Sequence, residues 1–359
     1  MKILDKYFLK KFLTTYVFAV FVIVLIILVI DYVEKNDDFI QKNAVLSDIL
    51  FKYYLNLAPY WANTISPLMI FISTVFFTAK LAAHSEIVAI MTNGVSFRRL
   101  MLPYIMGSTL IGIFSFIVIG WFLPKANSIR IDFENEYVHE KYFFSDRDFH
   151  MAVGPDTYVY FSSYNNQSQT AFDFTIEKFE GNELIEKLSS RRIAYVDSLQ
   201  KWRIYDYNIR TLGRMKDELV SNRGYVDSTI NMEPRDFENA KGAYETYTIP
   251  ELNERIEVLK TRGAEGIEPY QIELYQRFAT PFAVIILSVM GLIVSARKRR
   301  GGVGIQIAIG FLLAFIYILF YIMSKGIAES GNMSPVLAVW LPNIVFTCIA
   351  TIMYFTVPR

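Results

Sequence analysis

The chain has 359 residues, 53% hydrophobic and 20% charged, with a mean hydropathy of +0.28 and a formal net charge of +1 at pH 7. This composition suits a membrane protein with a sizeable water-exposed part, and the near-zero charge gives no indication of nucleic-acid binding. The single cysteine, Cys348, excludes a disulfide framework or a thiolate metal site within the chain.

The apolar residues are concentrated in six runs, three before and three after a long polar segment. Runs of about 20 residues match the thickness of the hydrocarbon layer and exceed ordinary core strands. None of them carries a Lys, Arg, Asp or Glu in its interior. They predict six transmembrane helices, at residues 12–30, 57–79, 100–123, 278–296, 303–324 and 335–357.

The orientation follows from the basic residues, which cytoplasmic connections carry in excess. Four lysines precede span one, Lys80, Arg98 and Arg99 lie between spans two and three, and a basic run occupies residues 297–300 between spans four and five. The connections on the other side are less basic. We therefore predict that both termini are cytoplasmic and that the polar segment lies outside.

The interiors of the spans lack the carboxylates and histidines through which proton-driven pumps and ion-coupled carriers work. They contain small or polar residues such as Ser73, Ser108 and Gly310, which are typical of helix packing. An ion-coupled mechanism is therefore disfavoured. The chain also has no G-x-x-x-x-G-K-[ST] motif, so any ATP that drives transport must be bound by another subunit.

The connection between spans two and three predicts a short helix. Ser85 can cap it, Glu86 lies in its first turn, where the helix dipole favours an anion, and Gly94 can end it. Ile87, Ile90 and Met91 share one face. Two interpretations stay open: an interfacial helix that only turns the chain, or a coupling helix that docks on a cytoplasmic ATPase and pairs Glu86 with a basic residue there.

The polar segment, residues 124–277, is predicted to be rich in β-strands. Residues 158–161, 172–176 and 202–207 alternate apolar or aromatic with polar side chains, and a hairpin turn is expected at 180–182. These features favour a two-sheet antiparallel module, a sandwich or jelly roll.

Two further predictions concern the polar segment. Residues 250–260 are expected to form an amphipathic helix that ends near Gly263. His139 and His150 lie near the start of the segment, but neither has a partner at metal-ligand spacing, and no nucleophile motif is present. We therefore predict no catalytic residue, no metal and no cofactor.

Residues 85–96, directly after span two, read Ser-Glu-Ile-Val-Ala-Ile-Met-Thr-Asn-Gly-Val-Ser. This pattern resembles the signature of the LptF/LptG lipopolysaccharide export permeases. The start of the chain and residues 121–127, 259–263 and 270–277 are similar to the family as well, and the tail at 333–343 looks closer to LptG than to LptF. The motifs follow one another along the chain, so the resemblance covers essentially the whole chain.

The resemblance implies a polytopic α-helical membrane protein with six transmembrane helices, three plus three, and an inserted periplasmic antiparallel β-jellyroll domain. The resemblance divides the chain into three parts. Residues 1–123 would contain helices one to three, with a cytoplasmic coupling helix at about 84–94, and residues 278–359 would contain helices four to six. Residues 124–277 would form the β-jellyroll domain, which ends in an amphipathic helix.

The resemblance also implies a function and partners. The chain would be a permease subunit of an ATP-driven ABC exporter in the bacterial inner membrane, paired with an LptF-type permease above an LptB-type ATPase dimer. The exporter would extract lipopolysaccharide and pass it to an LptC-type periplasmic bridge protein. Spans one and five would form the lateral gate. The ATPase-coupling helix would use Ser85, Glu86, Ala89, Met91 and Gly94.

The cargo's physical chemistry adds a second candidate site. Exposing acyl chains to water costs about 0.8 kcal/mol per CH₂, or roughly 50 kcal/mol for a multi-chain lipid, so the chains must stay in an apolar cavity. A phosphorylated head group needs cations at the outer rim. The candidates near the outer ends of the spans are Lys35, Lys42, Lys125, Arg130, Arg277 and Lys325. Each of them could instead be an ordinary anchor at the membrane interface.

One departure from the family and two alternative functions remain. At the outer end of span one, where family members carry a basic residue, this chain has Asp31. A permease for another lipid or a lipoprotein predicts the same coupling helix. A non-transporting membrane scaffold with an external binding module predicts that Glu86 tolerates substitution. An integral membrane enzyme lacks a catalytic constellation.

Overall fold

A computed structural model describes residues 3–138, 148–213, 216–237, 242–262, 266–296 and 302–355. His139, Gly263 and the basic run at 297–300 lie outside these ranges. The chain forms two compact units. The helical unit comprises residues 1–138, 245–249 and 268–359, and the β unit comprises residues 139–244 and 250–267.

The helices follow the apolar runs closely. In chain order they are α1 (Ile3–Gln41), α2 (Leu46–Asp48), the π-helical segment π1 (Ile49–Tyr54), α3 (Leu55–Thr64), α4 (Ser66–Ala83), α5 (Glu86–Thr92), α6 (Phe97–Ile117), the π-helical segment π2 (Val118–Phe122), α7 (Leu123–Tyr137), α8 (Ile249–Thr261), α9 (Glu268–Ser295), α10 (Gly302–Glu329) and α11 (Pro335–Phe355).

Six of these stretches are long and apolar enough to cross a membrane, counted over the described residues: α1, α4, the continuous run from α6 to α7, α9, α10 and α11. Helices suit this environment because the hydrocarbon layer offers no water, so the backbone must satisfy its own hydrogen bonds. The predicted six spans are therefore confirmed.

The second apolar run contains a break that hydropathy did not reveal. Helices α3 and α4 meet at Ile65, which has φ −85° and ψ −7°. Pro67 lies in the first turn of α4, where its missing N–H is tolerated. A proline starts a helix more easily than it continues one, so the run is built from two helices.

The helical unit packs through aromatic rings and small residues. Phe8 and Phe12 of α1 lie against Tyr104 of α6, with ring centroids 6.2 and 5.5 Å apart. A Cβ added at Gly107 would lie 2.7 Å from the Phe12 ring, so only glycine permits this approach. Gly310 faces Val75 in the same way, at 3.0 Å. Close packing of this kind holds helices together in lipid.

The β unit contains one antiparallel sheet among the described residues. Its strands are β1 (Phe149–Gly154), β2 (Thr157–Phe161), β3 (Ser163–Asn165), β4 (Thr170–Glu180), β5 (Glu183–Val196), β6 (Lys201–Thr211) and β7 (Glu218–Ser228). They run in the order β1-β2-β4-β5-β6-β7, with β3 paired to β4. The three segments predicted as strands lie in β2, β4 and β6.

The predicted antiparallel β domain is confirmed, and the structure adds how it is built. All seven described strands belong to one hydrogen-bonded sheet rather than the two sheets expected, because β1–β2, β4–β5, β5–β6 and β6–β7 pair as neighbours and β4 pairs with both β2 and β3. The expected hairpin turn is present between β4 and β5, with Gly181 at φ +63°. Trp202 is fully buried in the core of the unit, and its indole donates to the Met232 carbonyl at 2.7 Å.

Candidate functional site

Helix α5 is held in place by its buried face. Ile87 is 1% exposed and belongs to the same buried cluster as Phe8 of α1 and Phe97 of α6. Ile90 and Met91 are partly buried against this cluster, so the three residues predicted to share a face do so. The position of α5 is therefore tied to the ends of α1 and α6.

The two ends of α5 have left-handed backbone. Ser85 has φ 60°, and within the described structure its side chain does not cap the helix, so the predicted cap is wrong. A capping side chain needs an extended backbone. The prediction for Gly94 is confirmed: it has φ +81°, its N–H donates to Met91 O at 3.0 Å, and Val95 N–H donates to Ile90 O at 3.4 Å. This pair of bonds is a Schellman motif.

The other face of α5 is exposed and carries one charge. Glu86 lies in the first turn, and Glu86, Ala89 and Thr92 are exposed together with Val88. The helix dipole stabilises a carboxylate in the first turn. This face therefore presents an anion beside small and apolar side chains, which is suitable chemistry for a partner groove that contains a basic residue.

A partly buried ion pair lies at the same end of the unit. Arg99 of α6 donates from Nη2 to Asp5 Oδ2 of α1 at 2.6 Å, and Asp5 is buried. Arg98 donates from Nε to the Tyr354 hydroxyl of α11 at 2.8 Å. Helices α1, α6 and α11 are thus linked beside α5.

Two of the six predicted head-group cations, Lys35 and Arg130, lie in a second polar site, near the C-terminal end of α1. We call this the charged network and define it by six side chains that contact one another. They come from α1, π1, α7 and the 3₁₀ turn Ala243–Thr246. The members are Asp31, Lys35, Tyr53, Arg130, Glu134 and Glu245.

Lys35 is at the centre of the network. Its Nζ lies 3.1 Å from Asp31 Oδ1 and 3.4 Å from Glu134 Oε1, and it donates a short hydrogen bond to the Tyr53 hydroxyl. Tyr53 in turn donates to Asp31 Oδ2 at 2.9 Å. Burial, followed by the carboxylates of Asp31 and Glu134, raises the pKa of Tyr53, so the phenol stays protonated and remains a donor.

Arg130 extends the network from α7. Its Nη1 lies 3.3 Å from both Glu134 oxygens, and its Nη2 donates to Glu245 Oε2 at 2.9 Å. The guanidinium also stacks over the ring of Tyr60, 4.6 Å from the centroid, which is a favourable cation–π geometry. Asn127 donates to the Glu245 carbonyl at 3.3 Å. Arg130 therefore fixes the Glu245 turn on α7.

Burial, partly offset by the nearby Arg130, raises the pKa of Glu245. The cause is desolvation, which disfavours the charged form of a carboxyl group. Glu245 therefore has a greater tendency to bind a proton than an exposed glutamate.

Arg277 is buried in a separate cluster on α9. It is 1% exposed, donates to Glu273 Oε1 at 2.8 Å, and donates to the Tyr247 carbonyl at 2.7 Å. A guanidinium with these partners holds residues 245–249 on the helical unit. Direct contact with a ligand would require these bonds to open.

The remaining three cations are more accessible. Lys42, at the end of α1, and Lys125, in α7, are exposed. Lys325 of α10 is partly exposed, and its Nζ lies 3.8 Å from Glu329. The six predicted cations thus fall into two classes: three buried or half-buried and paired with carboxylates, and three at the surface.

Three members of the network were missed at the sequence level: Tyr53, Glu134 and Glu245. The spacing of four residues in Asp31–Lys35 and Arg130–Glu134 was an available signal, because such residues are neighbours on a helix. Glu245 is 115 residues from Arg130, and no local pattern connects them.

Helix α1 lines two of the apolar cavities between the described spans. The first, about 740 Å³, is lined by α1, α3, α6 and neighbouring residues of α4 and π2. Polar groups in its wall are paired, Tyr16 with Ser66 at 2.6 Å and Ser115 with Asn63. Such walls accept hydrocarbon without leaving a polar group unpaired.

The second cavity, about 300 Å³, lies between α1, α4 and α10. Phe18, Phe76 and Phe311 contribute one aromatic ring from each of these helices. Spans one and five therefore line the same apolar space.

A family model described as "Lipopolysaccharide export system permease LptF/LptG" matches residues 6–355. No curated protein matches the chain.

Proposed function

Because this chain belongs to the LptF/LptG family of lipopolysaccharide export permeases, we propose that it is the permease subunit of an ATP-driven ABC exporter. The exporter extracts lipopolysaccharide from the bacterial inner membrane and passes it to a periplasmic bridge for delivery to the outer membrane. The observation that carries this proposal is the family match, which extends over all six spans and the β unit.

The proposed exporter needs other subunits. ATP hydrolysis takes place on an LptB-type ATPase dimer, since this chain has no phosphate-binding loop motif. An LptF-type permease completes the membrane part, and an LptC-type protein receives the lipid. The tail at residues 333–343 supports an LptG-type role for this chain.

The proposed topology follows the distribution of basic residues. Both termini and α5 are cytoplasmic, and the β unit, a jelly roll in this proposal, is periplasmic. The charged network then lies at the outer side of the membrane, and the Asp5–Arg99 pair lies at the inner side. This arrangement separates a site for the ATPase from a site for the lipid.

Helix α5 is the proposed coupling helix. Glu86 and Ala89 on its exposed face contact the ATPase, Met91 and Ile87 hold the helix on the spans, and Ser85 and Gly94 set its ends. Movement of the ATPase reaches α1 through the cluster that contains both Ile87 and Phe8.

The proposed path of the lipid uses the apolar space between spans. Helices α1 and α10 form the lateral gate, supported by the 300 Å³ cavity that both line. The acyl chains remain in apolar surroundings, which avoids a cost of about 0.8 kcal/mol for each CH₂ exposed to water.

The lipid phosphates meet cations at the outer side. Lys42, Lys125 and Lys325 are accessible and contact the head group directly. Lys35, Arg130 and Arg277 are paired with carboxylates, so they take part only when those pairs rearrange.

The first test is affinity purification of the detergent-solubilised chain from its own cells, as wild type and as Glu86→Arg, with partners identified by mass spectrometry. We expect an ATPase and a second six-span protein to copurify with the wild type. Charge reversal at Glu86 should reduce the ATPase at least tenfold, because breaking a charged pair at an interface costs about 2 kcal/mol or more.

Glu34→Arg is the matched control. Glu34 is an exposed glutamate of α1 on the proposed outer side, so its reversal should leave the ATPase bound. Recovery of the wild type without an ATPase, or equal recovery with Glu86→Arg, contradicts the exporter proposal and favours a non-transporting scaffold.

A further inference from the structure

The ammonium group of Lys35 has no donor left for a ligand in this structure. A lysine has three N–H donors. Lys35 directs them towards Asp31, Tyr53 and Glu134, all within 3.4 Å of Nζ. An external anion can therefore reach Lys35 only by replacing one of these partners.

The charge balance of the network reinforces this point. As defined above, it contains three carboxylates, Asp31, Glu134 and Glu245, and two cations, Lys35 and Arg130. Each cation already lies within 3.4 Å of two carboxylates. The network thus has formally one more carboxylate than it has cations, and both cations already have carboxylate partners, so a phosphate that approaches Lys35 must compete with those carboxylates.

The pairing also has a mechanical consequence. Asp31 and Lys35 belong to α1, whereas Tyr53 belongs to π1 and Glu134 to α7. The bonds of Lys35 therefore join the C-terminal end of α1 to two other elements. Opening the Lys35–Glu134 pair removes an ionic link between α1 and α7.

We infer that Asp31 and Glu134 are internal competitors for the phosphate of the transported lipid at Lys35, so that head-group binding is coupled to release of α1 from α7. Asp31 and Glu134 thereby set the specificity of the site, because only a lipid with sufficient negative charge displaces them. This inference rests on the proposed function and deepens it.

The test measures binding of lipid A, which carries two phosphates, to the full-length chain purified with its copurifying subunits in nanodiscs of neutral phosphatidylcholine. Asp31→Asn keeps the shape of the side chain and removes one competitor. We expect its dissociation constant for lipid A to fall about tenfold, the size expected for one charge-assisted hydrogen bond in a partly buried site. Dephosphorylated lipid A should bind equally to both proteins.

Asp37→Asn is the matched control, since Asp37 is an exposed aspartate of the same helix. Both variants remove one negative charge, so both share any long-range electrostatic effect on lipid binding. For an exposed residue we expect this effect to change the dissociation constant by no more than about twofold. Equal affinities of the Asp31→Asn and Asp37→Asn proteins overturn the inference while the proposed function stands. Glu134→Gln provides a second competitor variant, for which tighter binding is again expected.

Two further outcomes are distinguishable. If neither wild type nor variants bind lipid A, the proposed function fails and the inference fails with it. If phosphatidylglycerol displaces lipid A at equal concentration, the site accepts any anionic lipid, and the assignment to the exporter's cargo is overturned.

A distance measurement tests the release of α1 independently of affinity. Nitroxides on Glu34→Cys in α1 and Asn135→Cys in α7, both exposed positions, are placed in a Cys348→Ser background. We expect saturating lipid A to lengthen the distance distribution and Asp31→Asn to populate the longer distance without ligand. A distribution that lipid A leaves unchanged overturns the coupling.

Discussion

At the residue scale, the most informative side chains are charged groups removed from water. Taking a charge out of water costs several kcal/mol unless partners compensate it. Lys35, Arg130 and Arg277 are each compensated by carboxylates within 3.4 Å. Removing one partner of such a pair should therefore lower the free energy of unfolding more than removing an exposed lysine such as Lys125.

Glu245 gives a prediction of pH dependence. Its pKa is raised by burial, so the folded protein binds this proton more tightly than the unfolded chain. Stability then falls as pH rises from the ordinary glutamate pKa through the higher pKa of the folded state. In Glu245→Gln this contribution to the slope should disappear, which thermal unfolding across the weakly acidic range can measure.

The control for this measurement is Glu34→Gln, at an exposed glutamate. Its pH profile should parallel that of the wild type. If the stability of Glu245→Gln depends on pH with the wild-type slope, Glu245 does not bind its proton more tightly in the folded state, and the prediction is contradicted.

At the element scale, the spans depend on close approach at small residues. Helix α1 reaches α6 at Gly107, where the Phe12 ring occupies the place of a Cβ. Helix α10 reaches α4 at Gly310, against Val75. These contacts position α1 and α10, the two helices of the proposed lateral gate.

Gly107→Ala tests the contact between α1 and α6. A Cβ at 2.7 Å from the Phe12 ring must push the helices apart or move the ring, so we expect a loss of about 1–3 kcal/mol in the free energy of unfolding. Thermal unfolding in one membrane mimetic measures the difference.

Gly326→Ala makes the same substitution in α10, where an added Cβ meets nothing within 4 Å. Alanine favours a helix over glycine by about 1 kcal/mol, so this variant should be as stable as the wild type or more so. Equal stability of the two variants would contradict the packing argument.

The element scale also shows where local rules hold and where they fail. Gly94 ends α5 as its left-handed preference predicts, whereas Ser85 does not cap the helix because its own backbone is left-handed. The strand predicted at residues 172–176 and the turn at Gly181 are local patterns, and both elements are present in the structure. The alternation of the strand fails at its start, because Phe172 and Asp173 are both exposed and Asp173 has φ +50°.

At the scale of the whole molecule, the described residues combine an end suited to an ATPase with an end rich in charged pairs. Helix α1 is present at both, since Asp5 pairs with Arg99 and Lys35 pairs with Glu134. In the proposed exporter, α1 contacts both sites and would be a direct route for the coupling of ATP hydrolysis to lipid entry.

Photo-crosslinking from within the chain tests the proposed lipid path. A photoreactive amino acid at Phe18 or Phe311, which line the 300 Å³ cavity, should capture lipopolysaccharide in cells, because the proposed path takes the acyl chains between α1 and α10. Ile352 of α11, also exposed on the spans, is the control and should capture much less. Equal capture at all three positions would mean that bilayer lipid alone accounts for the signal.

The sequence by itself determined six spans in two groups of three, an antiparallel β domain between them and the position of α5. Hydropathy, alternation and turn residues act over short stretches, so they can be read without the fold. The tertiary structure alone decided which of the candidate cations are buried and paired with distant carboxylates. Lys35 and Glu134 are 99 residues apart, and Arg130 and Glu245 are 115 apart. Whether a buried charge is satisfied depends on the packing of distant segments, and no local window of sequence contains that information.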